Sequence, residues 1–120
     1  MPYKYSCFIE NKPEMREWLE RLGYKPLSKK DDATTLITRA ENGLYITKLG
    51  SPLFDNYIDC RNNPALFKAL TAVRDDSDYM QWFTDGVAWW LFTHENAFEI
   101  LGYKATLSEL QERFKKGGEQ

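Results

Sequence analysis

The run from Tyr79 to Thr93, YMQWFTDGVAWWLFT, constrains this chain more than any other stretch. Two apolar segments flank Asp85-Gly86, and Asp-Gly between such segments is a strong short-range signal for a tight hairpin turn. A two-residue turn there would pair Thr84 with Val87, Phe83 with Ala88 and Trp82 with Trp89. Alternation along the strands then sorts the side chains onto two faces. Met80, Trp82, Thr84, Val87, Trp89 and Leu91 share one face; Tyr79, Gln81, Phe83, Ala88, Trp90 and Phe92 share the other. A hairpin with one wet face reads polar at every second residue, and this one does not. Cover is therefore expected on both sides, from helices on one and from chain or a partner on the other.

A chain of 120 residues fits a single domain spanning 1–120. With 16 basic and 18 acidic residues the net charge is -2, and the pI of about 5.4 argues against general affinity for duplex nucleic acid. The opening MPYKYSCFIE lacks the charged head and apolar run of a signal peptide, and no apolar stretch is long enough for a membrane span. A cytoplasmic protein without membrane contact is expected. Cys7 and Cys60 do not make a zinc motif and are expected as buried thiols rather than a disulfide.

Residues 3–9 read as a strand. Asn11-Lys12-Pro13-Glu14 reads as a helix start with an asparagine cap, and Met15, Trp18, Leu19 and Leu22 follow at i, i+3, i+4 and i+7. Gly23 ends that helix, and a polar loop runs to Ala33. Residues 34–39 and 44–49 flank Asn42-Gly43 as a first hairpin, more polar than the second and expected to lie outside it. A short strand over 56–60 precedes a second helix announced by Asn62-Asn63-Pro64, with Leu66, Phe67, Ala69, Leu70 and Val73 as its apolar face. Residues 94–104 read as an irregular connection. Thr106-Leu107-Ser108-Glu109 is a capping-box sequence for a last helix over 106–116.

Laying Pro13 over Pro64 also lays Met15 over Leu66, Leu19 over Leu70 and Cys7 over Ile58. Segments 3–50 and 56–93 then read as an internal duplication, each a βαββ unit. The expected fold is α+β: two such units forming a mostly antiparallel sheet of about six strands, packed by two to three helices.

Chemistry-bearing motifs are sparse. His94 is the single histidine, placed just past a strand, where a solvated turn residue is the ordinary reading. Asp75, Asp76 and Asp78 follow the second helix, where carboxylates face the negative end of its dipole. A hard cation, Mg²⁺ or Ca²⁺, would relieve that repulsion, with Asp59 as a further ligand, and this makes a metal-dependent hydrolase or metal-binding site the alternative function. The spacing lacks the glycine and distal glutamate of an EF-hand, and solvated loop carboxylates explain the same residues. Otherwise no cofactor is expected. Tyr79, Gln81, Phe83, Trp90 and Phe92 form the candidate binding surface. Aromatic residues enrich the centres of protein contacts, so a protein partner or a second copy in a homodimer is expected there. Stacking on single-stranded nucleic acid is weaker, because the hairpin carries no Lys or Arg.

The segment Ile58 to Phe83, IDCRNNPALFKALTAVRDDSDYMQWF, with the closing KATLSELQERF, resembles a group of small bacterial, phage-like proteins to which no activity is assigned. The resemblance implies a stand-alone small domain and brings no cofactor or catalytic residue with it. The residues themselves point to a non-enzymatic domain acting through protein contact or self-association.

Overall fold

The first strand, β1 (Phe8–Glu10), leads into helix α1 (Pro13–Leu22). Proline in the first turn has its φ already set for a helix, and its missing N–H would have no intrahelical acceptor there. Lys12 is the N-cap and makes no side-chain capping bond, so Asn11 does not cap this helix as expected. The predicted stripe Met15, Trp18, Leu19 and Leu22 is the buried face. Gly23 ends the helix at φ 107°, and the Gly23 and Tyr24 N–H groups donate back to the Glu20 and Leu19 carbonyls, each at 3.0 Å. This left-handed exit is one that glycine makes without a Cβ penalty.

The structure, a computed structural model, describes residues 7–26, 35–39, 44–47, 58–74, 79–93, 95 and 99–115. The expected strand residues 3–6, the turn at Asn42-Gly43, the Asp75, Asp76 and Asp78 cluster and His94 lie outside them. Among the described residues no helix is long and apolar enough to cross a membrane.

After α1 come β2 (Lys25–Pro26), β3 (Thr35–Arg39) and β4 (Leu44–Thr47), then helix α2 (Pro64–Thr71). Strands β5 (Trp82–Thr84), β6 (Trp89–Leu91) and β7 (Tyr103–Lys104) precede helix α3 (Leu107–Arg113). The fold is α+β, but the strands make two sheets rather than one of about six strands. One is four-stranded, in the order β1-β3-β4-β2, with β2 parallel to β4 and the other pairs antiparallel. The other is three-stranded and antiparallel, in the order β6-β5-β7.

Local chemistry explains why the strands divide this way. Of the strand expected over 56–60 the described residues begin at Ile58, which forms a parallel bridge to Cys7. Directly after it Asp59 accepts from the Arg61 N–H at 3.0 Å, Asn62 takes φ 70° and Asn63 N–H donates to the Cys60 carbonyl at 2.8 Å. That turn ends any extended run. Ile58 is joined to Cys7, just ahead of β1, and one edge of β5 is taken by β7.

Helix α2 starts as read. The Asn63 carboxamide accepts from the Leu66 N–H at 3.2 Å, and its Nδ2 donates to the Phe114 carbonyl at 2.8 Å, joining the start of α2 to the end of α3. Leu66, Phe67, Ala69 and Leu70 are buried. They share one core with the α1 stripe and with Ile9, Leu36 and Tyr45 of the larger sheet. Cys7 and Cys60 lie in the same core as free thiols, both fully buried. Burial, and then the neighbouring Cys60 thiol, pushes the Cys7 thiol well above its ordinary range. In α3 the capping box is complete, and Leu110 is the buried anchor.

The first hairpin is not the outer one. β3 lies between β1 and β4, and its consecutive residues Leu36, Ile37 and Thr38 are all buried. A central strand covered on both faces tolerates a threonine at a buried position, and this is why its polar composition misleads.

Candidate functional site

The aromatic hairpin forms, but its register is two residues away from a two-residue turn. Thr84 pairs with Trp89, Phe83 with Trp90 and Trp82 with Leu91. Side chains close the loop over residues 85–88. Asp85 Oδ1 accepts from the Val87 and Ala88 N–H groups at 2.9 and 2.8 Å. The Thr84 hydroxyl donates to the Ala88 carbonyl at 2.7 Å and accepts from the Gly86 N–H at 3.0 Å. These bonds hold Asp85, which is fully solvated, below the usual carboxylate range, the Val87 N–H first and the Ala88 N–H second. An aspartate that satisfies its own loop in this way favours the longer turn. A shift of two residues keeps every side chain of the strands on its expected face, because the alternation has a period of two.

At its open end the hairpin carries an extra residue. Met80 sits at φ 63°, and the Phe92 N–H donates to the Gln81 carbonyl at 3.0 Å while the Met80 N–H donates to the Phe92 carbonyl at 2.7 Å. Two residues thus oppose one, which is a β-bulge and reverses the alternation beyond it. Gln81 itself stays in register, opposite Phe92, yet it is covered. It is 2% exposed, and its Nε2 donates to the Ala72 carbonyl at 3.3 Å. Tyr79 is half-buried and packs against the core.

Of the five candidate surface residues, the fold brings together Phe83, Trp90 and Phe92. Phe83 and Trp90 are direct cross-strand partners, and the Phe83 and Phe92 rings lie 5.9 Å apart at an interplanar angle of 35°. All three are half-buried, and among the described residues they are not part of the set packed on the main core cluster. Tyr79 and Gln81 are covered at the open end of the hairpin, Tyr79 by the core and Gln81 by the residues just past α2.

The opposite face is the one that docks. Trp82 and Trp89 meet edge-on at 6.3 Å, and Trp82 lies 5.6 Å from Phe114 at the end of α3. The Arg113 guanidinium sits 4.9 Å from the Trp89 ring centroid and 5.8 Å from that of Trp82. At such distances a cation gains from the ring quadrupoles, so Arg113 helps to hold α3 on the hairpin.

Sequence reasoning missed β7. Tyr103–Lys104 pairs with Phe83–Thr84, and the Ala105 N–H donates to the Trp82 carbonyl at 3.0 Å. Lys104 is the cross-strand partner of Phe83 on the side away from Trp90. The signal available was Gly102, followed by an aromatic and a lysine just ahead of a capping box. A β-carbon on Gly102 would run into the Thr84 carbonyl, so only glycine lets β7 reach the edge of β5.

A groove of about 590 Å³ opens between the start of α2 and the outer side of α3, with Asp59, Arg61 and Leu66 on one wall and Gln111, Glu112 and Lys115 on the other. Its charges are internally matched. Arg61 grips Asp59 with Nη2 at 2.8 Å and Nε at 3.1 Å, and this holds the Asp59 carboxyl below its usual range. Lys115 donates to Glu112 at 2.9 Å. Asp59, the further ligand considered for a metal, is thus engaged by a guanidinium. Among the described residues no group of three or more potential metal ligands converges. Comparison with known protein families, with characterised proteins and with solved structures finds no match to this chain.

Proposed function

We propose that this protein is a small contact domain, without catalysis of its own, that acts through the outer face of the three-stranded sheet. The observation that carries the reading is the unequal use of the hairpin's two faces. Trp82 and Trp89 pack against Phe114 and Arg113 at the end of α3, while Phe83, Trp90 and Phe92 are half-buried and stand outside the described core cluster. Aromatic side chains bring large area at small entropic cost and concentrate at the centres of protein contacts.

Trp90→Asp tests the assignment. A contact surface tolerates the carboxylate, so the variant should melt within about 4 °C of the parent, the shift that ~1 kcal/mol produces in a domain of this size. An interior ring would not tolerate it, and collapse of the melting transition would return the face to the core. Size-exclusion chromatography with light scattering on the same two proteins reads whether association is lost.

A further inference from the structure

We infer that Trp82, Trp89 and Phe114 form a binding site for a methylated ammonium group, closed in this structure by the chain's own Arg113. The site lies where α3 meets the hairpin and does not depend on the contact-domain reading. Its rings are inclined rather than stacked, with 73° between the planes of Trp82 and Trp89 and 51° between those of Trp82 and Phe114. The Arg113 guanidinium carbon is the point they share, 4.9 Å from the centroid of Trp89, 5.8 Å from that of Trp82 and 5.9 Å from that of Phe114. One cation is thus held by three ring quadrupoles.

The distances select the ligand's chemistry. A guanidinium centred on a ring at contact would bring its carbon to about 3.5–4 Å from the centroid, and none of the three distances is that short. A trimethylammonium group suits them better, because its methyls stand between the nitrogen and each ring and hold it farther off. Rings also offer no lone pair to an N–H. A bare ammonium gives up strongly held water on entering such a site, whereas a methylated one has little or no N–H to satisfy. Arg113 is exposed and is the last residue of α3, so its side chain can swing out without unwinding the helix. The helix stays held by buried Leu110, by the Asn63 Nδ2 bond to the Phe114 carbonyl at 2.8 Å and by Trp82 against Phe114. Tethered at millimolar effective concentration, Arg113 acts as a competitor that the ligand displaces.

NMR titration of the full chain with tetramethylammonium chloride tests the site, read at the indole N–H resonances of Trp82 and Trp89 with sodium chloride at equal ionic strength as the blank. Arg113→Ala should melt within about 4 °C of the parent and bind the cation with Kd on the order of 1–10 mM, about fivefold or more tighter than the parent does. Trp89→Leu added to it removes the nearest ring and should weaken binding about fivefold. In the parent, the Arg113 side-chain protons, shifted by ring currents, should move toward solvent values as the cation enters. Choline and Nε-trimethyllysine carry the same group, and the tighter of the two names the source. No binding to Arg113→Ala at about 100 mM, or binding indifferent to Trp89→Leu, overturns the site. Equal binding by the parent and Arg113→Ala overturns the closure. Should Arg113→Ala fail to fold, the parent titration decides, and Arg113 protons unmoved at about 100 mM overturn the inference.

Discussion

The Trp18 indole N–H donates to the Thr71 hydroxyl at 2.9 Å, across 53 residues of sequence, and so ties the buried face of α1 to the last turn of α2. The Thr71 hydroxyl in turn donates a hydrogen bond to the Phe67 carbonyl at 2.8 Å, and the Thr71 backbone carbonyl accepts from the Tyr24 hydroxyl at 2.8 Å. One threonine thus anchors polar atoms of two aromatic residues in the interior, where an unmatched donor is costly.

Thr71→Val keeps the shape and removes the acceptor. The stranded indole N–H should cost about 1–3 kcal/mol, read as a lower urea midpoint with an unchanged slope. Thr71→Ser, which retains the hydroxyl, should lose about 1 kcal/mol or less, the effect of one buried methyl group. Equal losses in the two variants would place the effect in packing instead.

Gly102 and Gly86 separate steric need from conformational need. A β-carbon at Gly102 meets the Thr84 backbone, which cannot move without breaking β5 from β7. Gly102→Ala should therefore destabilise by about 2–3 kcal/mol or more, the cost of forced overpacking. Gly86 sits at φ 99° with open space around it, so Gly86→Ala should cost only about 1–2 kcal/mol of left-handed strain. Urea melts of both variants check the order.

The capping box of α3 should leave a signature in pH. Glu109 accepts from the Thr106 N–H at 2.9 Å and from the Tyr103 hydroxyl at 2.7 Å, and these bonds, the backbone one first, hold its carboxyl below the ordinary value of 4.5. The folded state therefore binds this proton more weakly than the unfolded chain does. The stabilisation is complete above the unfolded value and is lost as pH falls through the lower folded value. Glu109→Gln should melt below the parent at pH 7, and the gap should close as the pH falls below the ordinary 4.5 and through the lower folded value. A gap independent of pH would assign the role to shape alone.

The buried thiols should be silent in the native protein. Cys7 is fully buried and its thiol is held well above the ordinary 9.0, chiefly by burial and then by Cys60, so little thiolate forms near neutrality. Iodoacetamide at pH 8 should label Cys7 and Cys60 only at the rate of unfolding and should follow stability through a urea series, read by mass spectrometry. Prompt labelling without denaturant would show that the Cys7–Ile58 bridge opens locally.

The helices were legible because their information is local. Pro13 and Pro64 at first turns, the stripe from Met15 to Leu22 and the Thr106–Glu109 box each act within a few residues, and the fold uses all three. The two faces of the aromatic hairpin were legible for a related reason, since alternation survives a register shift of two. The register was not, because Asp85 and Thr84 chose the turn with side-chain bonds that an Asp-Gly pair does not reveal. Gln81 was misread as surface because the Ala72 carbonyl just past α2 meets its carboxamide, a contact between distant elements that composition does not reveal.

The amino-acid sequence by itself determined where this protein turns helical, which side chains are apolar enough to need cover, and that one ribbon carries rings on both sides. Tertiary structure alone decided that the strands divide into two sheets, that β3 takes the protected centre and that Lys104 arrives beside Phe83. The physical reason is range. Helix caps and stripes are settled over one or two turns of chain, whereas strand order is set by which distant edges meet, and a single close approach, Gly102 against Thr84, decided the last of them.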